Sequence, residues 1–404
     1  MARGEGKASN THDRIGGGRF LLLLGMLVAF GPLATDLYLP ALPAIRAGLG
    51  TTPEAVQLSI TVFLGGFSIG MLGYGPVSDR YGRRPVMLGG IGLFMVASLA
   101  CLLATSVEQL IVARFVQALG GGAASVLARA VVRDVFSQTE ALRKLSLLAM
   151  ITAIAPLLSP LLGSVILDLG GWRATFAAVL AWGILSLATV FFLLPETLPA
   201  ERRGQLSLGK AFSAYLRLLG DPVAVGLLLA GGMSFAGMFA YISASPYYFI
   251  ELQRFSPRAY SVLFAANALG IFAANYANSR LLRRCGAVTM IGGGCVAGFA
   301  GALTLLLGVS LHDYVPAVVL GLFLMVSVTG LLGANCVGLL MERYPLNTGA
   351  AAALFVSGQF GLGMLASAGV SALHDGSGLP MAGVITATAS LSMLGLMLFR
   401  HSSR

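Results

Sequence analysis

Twelve stretches of this chain are each long and apolar enough to cross a lipid bilayer, and that single property removes most folds from consideration. A helix needs about 20 residues to span a hydrocarbon core roughly 30 Å thick. The stretches run approximately over 20–42, 55–77, 86–104, 109–132, 145–168, 174–194, 222–249, 259–278, 287–309, 315–340, 348–372 and 379–399. Between them too little charge remains to clothe a soluble surface: 10% of the 404 residues are charged, and mean hydropathy is +0.86. Soluble domains carry about a quarter charged residues. The expected fold is therefore an all-α integral membrane protein with twelve transmembrane helices. Its 53 glycines suit helices that approach closely in lipid.

Connections between the stretches are short, with one exception. Residues 195–221, "PETLPAERRGQLSLGKAFSAYLRLLGD", divide the chain into two sets of six. This gives a polar, Gly-rich N-terminal tail at 1–19, a six-helix bundle at 20–194 and a central loop at 195–221. A second six-helix bundle at 222–399 and a short tail at 400–404 complete the plan. More spans follow the first at once, so no cleavable signal peptide is expected.

Charge orients the spans. With a cytoplasmic N-terminus, one side collects Arg80, Arg83, Arg84, Arg133, Arg143, Lys144, Arg202, Arg203, Lys210, Arg217, Arg280, Arg283, Arg284, Arg343, Arg400 and Arg404. The other side has Arg46, Arg173, Arg254 and Arg258. That asymmetry matches the positive-inside rule and puts both termini and the central loop in the cytoplasm. It also accounts for the net charge of +10 as a topology signal, so no nucleic acid partner is expected.

The halves echo each other. "SDRYGRRPV" from Ser78 ends the second span and "SRLLRRCGA" from Ser279 ends the eighth, so Arg80, Arg83 and Arg84 recur as Arg280, Arg283 and Arg284. Two pseudo-symmetric six-helix bundles in parallel register are the repeat plan of secondary transporters, which bind substrate near the midplane between repeats. Nothing in the chain reads as an enzyme. His12, His312, His374 and His401 fall in tails or loops, and Cys101, Cys285, Cys295 and Cys336 lack metal-ligand spacing.

One acid breaks the apolar pattern. In "GPLATDLYLP", residues 31–40, Asp36 lies between Pro32 and Pro40, within the first span. Glu54, Asp79, Glu108, Asp134, Asp168, Glu196, Asp221, Glu251, Asp313, Glu342 and Asp375 fall at span ends or in loops, and the second-half counterpart of Asp36 is Ala236. Two readings stay open. Sixteen residues past Phe20 is about 24 Å of helix, which suits an interfacial acid. Yet Pro32, Asp36 and Pro40 share a face, and intramembrane acids usually face a cavity and mark proton pathways.

Arg114, in the outer part of span four, also has two readings, as a snorkelling side chain or a buried functional cation. Arg129 sits one turn before Arg133 and is expected to reach the cytoplasmic face. In span five, Pro156, Ser159, Pro160 and Gly163 of "IAPLLSPLLGS" predict a bent helix with a close neighbour. "GYGPVSDRYGRRPVML" joins spans two and three. There Gly75 is expected to allow close helix approach, Gly82 a tight turn, and Asp79 to pair with Arg83.

The spacing G-x-x-x-D-R-x-G-R-R resembles the signature loop of the major facilitator superfamily. "LATDLYLPALPAI", "RFVQALGGG", "APLLSPLLG", "GWRATF", "PETL" and "YISASPYYFIE" together look like its Bcr/CflA branch of drug:proton antiporters, named for bicyclomycin and chloramphenicol resistance. The resemblance covers nearly the whole chain. It implies a twelve-helix, two-bundle exporter of the bacterial inner membrane, working by alternating access as a monomer. The substrate would be a small amphiphilic drug or metabolite, the surroundings the lipid bilayer, and protons the coupling ion, with no other cofactor and no metal.

Carried over residue by residue, the resemblance assigns proton coupling to Asp36 and Arg114. The family's span-four motif R-x-x-Q-G has its Gln at Gln117 but Ala118 in place of the glycine. A cytoplasmic gate falls to Gly75, Asp79, Arg80, Gly82, Arg83, Arg84 and Asp134. An antiporter-type helix motif falls to Pro156, Ser159, Pro160 and Gly163, where Ser159 and Ser164 stand in place of glycines. The cavity itself is expected to be greasy and weakly polar, lined by residues such as Tyr38, Gln117, Tyr241, Asn267, Asn275, Tyr276, Asn335 and Gln359. Proton-coupled uptake or export of a small metabolite is the alternative function.

Overall fold

A computed structural model describes residues 18–204, 208–311 and 313–402. The N-terminal tail up to residue 17, with His12, and also His312 and Arg404, lie outside the described residues. All regular structure among the described residues is helical. The first span, α1 (Phe20–Leu49), reaches beyond the expected end at 42. It is segmented: a helix at Phe30–Asp36, a tight turn at Leu39–Ala41, then a last helix at Leu42–Leu49. Pro40 and Pro43 have no N–H to give to the carbonyls a turn earlier, so the helix breaks just after Asp36 and then resumes.

The helices α2 (Pro53–Tyr81), α3 (Arg83–Leu103) and α4 (Val107–Val135) follow. The hydroxyl of Thr52 accepts from the Ala55 N–H and that of Ser106 from the Gln109 N–H, which caps α2 and α4 at their starts. A hydrogen-bonded run then extends over Gln138–Leu193, broken only at Gly171, with φ 70° and ψ −174°. Its apolar portion of 51 residues would be about 76 Å long as one rod, more than twice the thickness of a bilayer core. The chain turns back at Gly171, giving α5 (138–170) and α6 (172–193). Among the described residues, eleven long apolar helices, one of them double, thus make twelve crossings.

The central loop contains a short helix, α7 (Leu208–Leu219), which exposes Phe212, Leu216 and Leu219 at helical spacing along one side. An exposed apolar stripe of this kind suits a helix lying in a membrane interface. The second set comprises α8 (Pro222–Leu252), α9 (Pro257–Cys285), α10 (Ala287–Ser310), α11 (Val315–Arg343), α12 (Thr348–Ala372) and α13 (Leu379–Ser402). Packing within the two sets corresponds: α3 packs on α4 and α6 as α10 packs on α11 and α13, and α1 packs on α5 as α8 packs on α12.

The halves meet along two seams. α2 lies on α12, where Thr61 and Ser367 hydroxyls stand 2.6 Å apart and Ser68 and Ser357 donate to each other's carbonyls at 2.8 and 2.9 Å. α5 lies on α9, where the Ser261 hydroxyl donates to the Pro160 carbonyl at 2.9 Å. At one end two ion pairs and a histidine–carboxylate contact join the halves: Arg46–Glu251 at 2.6 Å, Arg258–Asp168 at 2.7 Å and His374–Glu54 at 3.2 Å. At the arginine-rich end the ion pairs among the described residues, those of Arg83, Arg203 and Arg343, each stay within one half or its linker.

Candidate functional site

Asp36 ends the helical segment Phe30–Asp36, so the break in α1 fixes its position. Two neighbours grip the backbone around it, and a third holds the Tyr38 side chain. Arg114 of α4 donates to the Ala34 carbonyl at 2.9 Å. Gly163 of α5 backs directly against the Leu37 carbonyl, leaving no room for a Cβ. Ser59 of α2 lies 3.3 Å from the Tyr38 hydroxyl. The carboxyl side chain is buried, lines the cavity between the halves, and joins none of the ion pairs among the described residues. Of the two sequence readings, this position matches the cavity-facing one.

Arg114 is 0% exposed, so it does not snorkel. Its guanidinium carbon sits 4.3 Å from the Tyr38 ring centroid, 4.2 Å from that of Phe63 and 6.0 Å from that of Phe176. Ring faces carry partial negative charge and stabilise a desolvated cation by roughly 2 kcal/mol or more. A second contact, to the Gln117 side-chain oxygen at 2.5 Å, orients the group, and Gln117 in turn donates to Ser98 at 2.8 Å. Arg114 therefore holds the bend beside Asp36 without touching the carboxyl.

The α5 motif connects this bend to the other half. Gly163 meets α1 at Leu37, while the Pro160 carbonyl, one turn earlier, accepts from Ser261 of α9. Ser159 is buried and donates to its own helix at Ala155, 2.7 Å away. Pro156 faces the cavity.

The cavity has a volume of about 360 Å³ and is mainly apolar, walled by Phe67, Phe235, Met238, Phe239 and Phe360 among others. Phe360 of α12 packs on Phe67 of α2 at 4.8 Å and on Phe235 of α8 at 5.2 Å, so rings from both halves close one wall. Three of the expected polar residues line it: Tyr241, Asn267 and Gln359, with the Asn267 amide donating to the Tyr241 hydroxyl at 2.9 Å. The others do not. Tyr38 and Gln117 lie behind the wall, around Arg114. Asn335 pairs with Asn278 inside the second half, at 2.9 and 3.3 Å. Asn275 lies against Gly330, and Tyr276 is exposed beside Arg280.

Four polar cavity residues escaped the sequence reading, Thr35 and Thr152 among them. Arg129 lines the cavity instead of only reaching the membrane face, and Ser125, one turn earlier on α4, lines it too. The Ser125 hydroxyl is buried and has no hydrogen-bond partner among the described residues. The available signal was the polar series Gln117, Ser125 and Arg129 at multiples of four on one helix, a face that neighbouring helices rather than lipid should cover.

At the arginine-rich end, Arg83 bridges two acids, Asp79 at 2.6 Å and Asp134 at 2.8 Å, and donates to Ser78 at 2.5 Å. Gly82 adopts φ 98°, which a side chain would strain. Arg80 lies over the Tyr81 ring, and Arg84 donates to the Phe191 carbonyl at 2.8 Å. Gly75 departs from its expected role: among the described residues, a Cβ there would meet nothing within 4 Å. A further member is Glu196, whose carboxylate accepts the N–H groups of Arg83 and Arg84 at 2.9 and 3.2 Å. An acid at the start of α3 satisfies donors the helix leaves open and complements its dipole. Among the described residues, no group of three or more His, Cys, Asp or Glu is placed to hold a metal.

At the matching end of the second half, Asp221 accepts from Arg343 at 2.8 Å, from the Val223 N–H at 2.9 Å and from the Tyr344 hydroxyl. Burial pushes this carboxyl up, but those hydrogen bonds and the Arg343 charge outweigh it and hold it below the usual range.

The sequence model of the Major Facilitator Superfamily matches residues 21–368. The chain is 34% identical to the uncharacterized MFS-type transporter YdgK of Bacillus subtilis, over 95% of this chain and 97% of that one. It is 30% identical to the bicyclomycin resistance protein homolog of Haemophilus influenzae, over 93% and 94%, and 34% identical to multidrug resistance protein MdtL of Salmonella heidelberg, over 62% and 63%. Among solved structures, a D-xylose-proton symporter superposes with a TM-score of 0.72 at 16% identity, covering 95% of this chain and 97% of that one. A single-residue mutant of nucleoside transporter NupG gives 0.73 at 11%, covering 96% and 100%. At such identities the likeness concerns the fold alone.

Proposed function

Because the chain belongs to the major facilitator superfamily, we propose that it exports small amphiphilic drugs from the bacterial cytoplasm in exchange for protons, by alternating access. The observation that carries the proposal is Asp36, a buried carboxyl in the cavity between the halves, outside every ion pair among the described residues. A carboxyl so placed can bind a proton from one side of the membrane and release it to the other as the halves rock. With the arginine-rich end cytoplasmic, the ion pairs joining the halves are periplasmic, and the cavity faces the cytoplasm.

In the proposed cycle, a solute settles among the phenylalanines while Asp36 is charged. The Arg46–Glu251, Arg258–Asp168 and His374–Glu54 pairs then part, and the solute leaves. Asp36 takes up a proton from the periplasmic side, and the neutral form returns. Arg114 positions Asp36 through the Ala34 carbonyl, and the α5 motif couples the bend of α1 to the seam with α9. The Asp79–Arg83–Asp134 cluster, with Glu196, holds the cytoplasmic ends of α2, α3 and α4 as one piece.

Drug export is supported by the names of the bicyclomycin and multidrug resistance relatives and by the apolar lining. A second reading, proton-coupled movement of a metabolite, is favoured by Arg129, a fixed cation that a pump for neutral drugs does not need. Inverted vesicles with an imposed pH gradient separate the readings. Chloramphenicol or bicyclomycin should draw protons out through the wild-type protein and not through Asp36→Asn. Exchange that persists in Asp36→Asn sinks the proton role, and silence with both antibiotics favours the metabolite.

A further inference from the structure

The cavity carries fixed groups of opposite character at separate places along its length. Arg129 is fifteen residues beyond Arg114 on α4, about 22 Å along the helix axis. Since Arg114 is level with Ala34, Arg129 stands toward the arginine-rich mouth and Asp36 toward the closed end. Between them the walls are mainly phenylalanine and methionine.

Arg129 makes no ion pair among the described residues. Its one hydrogen bond among the described residues is a long one, 3.5 Å, to the Ser125 carbonyl of its own helix. A guanidinium offers five N–H donors in a planar fork that matches a carboxylate. Beside it the Ser125 hydroxyl, 4% exposed, points its unpartnered oxygen at the same cavity. A buried hydroxyl and an intramembrane cation both left short of acceptors are costly unless something supplies them.

We infer that Arg129 and Ser125 form an acid-recognising subsite, and that the solute is an elongated amphiphile whose apolar body ends in one carboxylate. This rests on the central cavity being the transport site. The acidic head and the proton use different ends of the cavity, so they do not compete for the same atoms.

The test measures equilibrium binding in phosphatidylcholine nanodiscs, with no pH gradient, using naphthaleneacetate and naphthaleneacetamide. The two probes share a ring system and differ in head charge. Wild-type protein should prefer the carboxylate by about tenfold, the scale of one hydrogen bond to a charged group. Arg129→Gln should abolish that preference by weakening the carboxylate alone, leaving the amide bound as before. Arg129→Lys should keep part of it, and Ser125→Ala should reduce it by about threefold, the scale of a neutral hydrogen bond. Equal affinities in wild type, binding of neither probe, or a preference that survives Arg129→Gln overturns the inference. A preference lost in phosphatidylglycerol but present in phosphatidylcholine assigns the subsite to lipid headgroups and overturns it as well. Because no proton gradient is involved, a failure of antibiotic exchange leaves this outcome intact, and the reverse also holds.

Discussion

In the first half, α1 carries Asp36 into the cavity; in the second, α8 carries Ala236 at the matching place, fully buried and away from the cavity wall. The same contrast runs through the rest of the two halves. Arg114 and Arg129 lie inside the first, whereas the second contributes Tyr241, Asn267 and Gln359 together with most of the aromatic wall. At the arginine-rich end, Arg83 is buried between two acids, while its repeat partner Arg283 is exposed. A shared helix plan thus supports two different tasks. The charged groups of the cavity are concentrated in the first half, and the second lines it with neutral side chains.

The largest effect should come from moving the acid. Asp36→Ala combined with Ala236→Asp conserves composition, and proton exchange should still fall by at least about a hundredfold, some 2.7 kcal/mol in rate terms. Recovery in the double variant would mean that the halves are functionally equivalent. Next is the cage around Arg114. Arg114→Leu should lower the thermal midpoint and slow exchange about tenfold, since Ala34 then loses a donor. An unaffected Arg114→Leu protein would remove the bend from the mechanism.

Smaller again is the comparison of the arginine-rich ends. Arg83→Ala should slow exchange several-fold, whereas Arg283→Ala, an exposed change, should stay within about 0.5 kcal/mol in stability. Equal losses would erase the asymmetry there.

The smallest effect concerns Asp221, whose carboxyl is held below its ordinary value in the folded protein. Its stabilising contribution is therefore complete above 3.8, the unfolded reference, and is lost as pH falls through the lower folded value. Asp221→Asn should reduce the melting temperature slightly at neutral pH, with the gap closing only in that acidic window. A gap that closed near neutrality would refute this account.

The sequence made the number of crossings legible because hydrophobic length is a one-dimensional property. Asp36 was legible for a similar reason: charge at depth in an apolar run has few explanations. What escaped was helix rotation. Tyr38 and Gln117 belong behind the wall and Arg129 on it, and a turn of the helix decides which, something only the packing of neighbours fixes. Gly75 failed for the same reason, since a small residue permits close approach without requiring it. Glu196 was visible in "PETL", but its bond to the start of α3 spans more than a hundred residues of chain.

The ion pairs that join the halves also set how often that end stands open. Arg46, Arg258 and Glu54 are partly exposed, and exposed pairs contribute about 0.2–1 kcal/mol each. The two arginine pairs together hold that end shut by roughly 1 kcal/mol, so on their account alone it stands open roughly 15% of the time with nothing bound. Such a closure leaks, and raising the salt concentration should make it leak more. The seal against futile passage must then lie deeper, in the uncharged seams of α2 with α12 and α5 with α9.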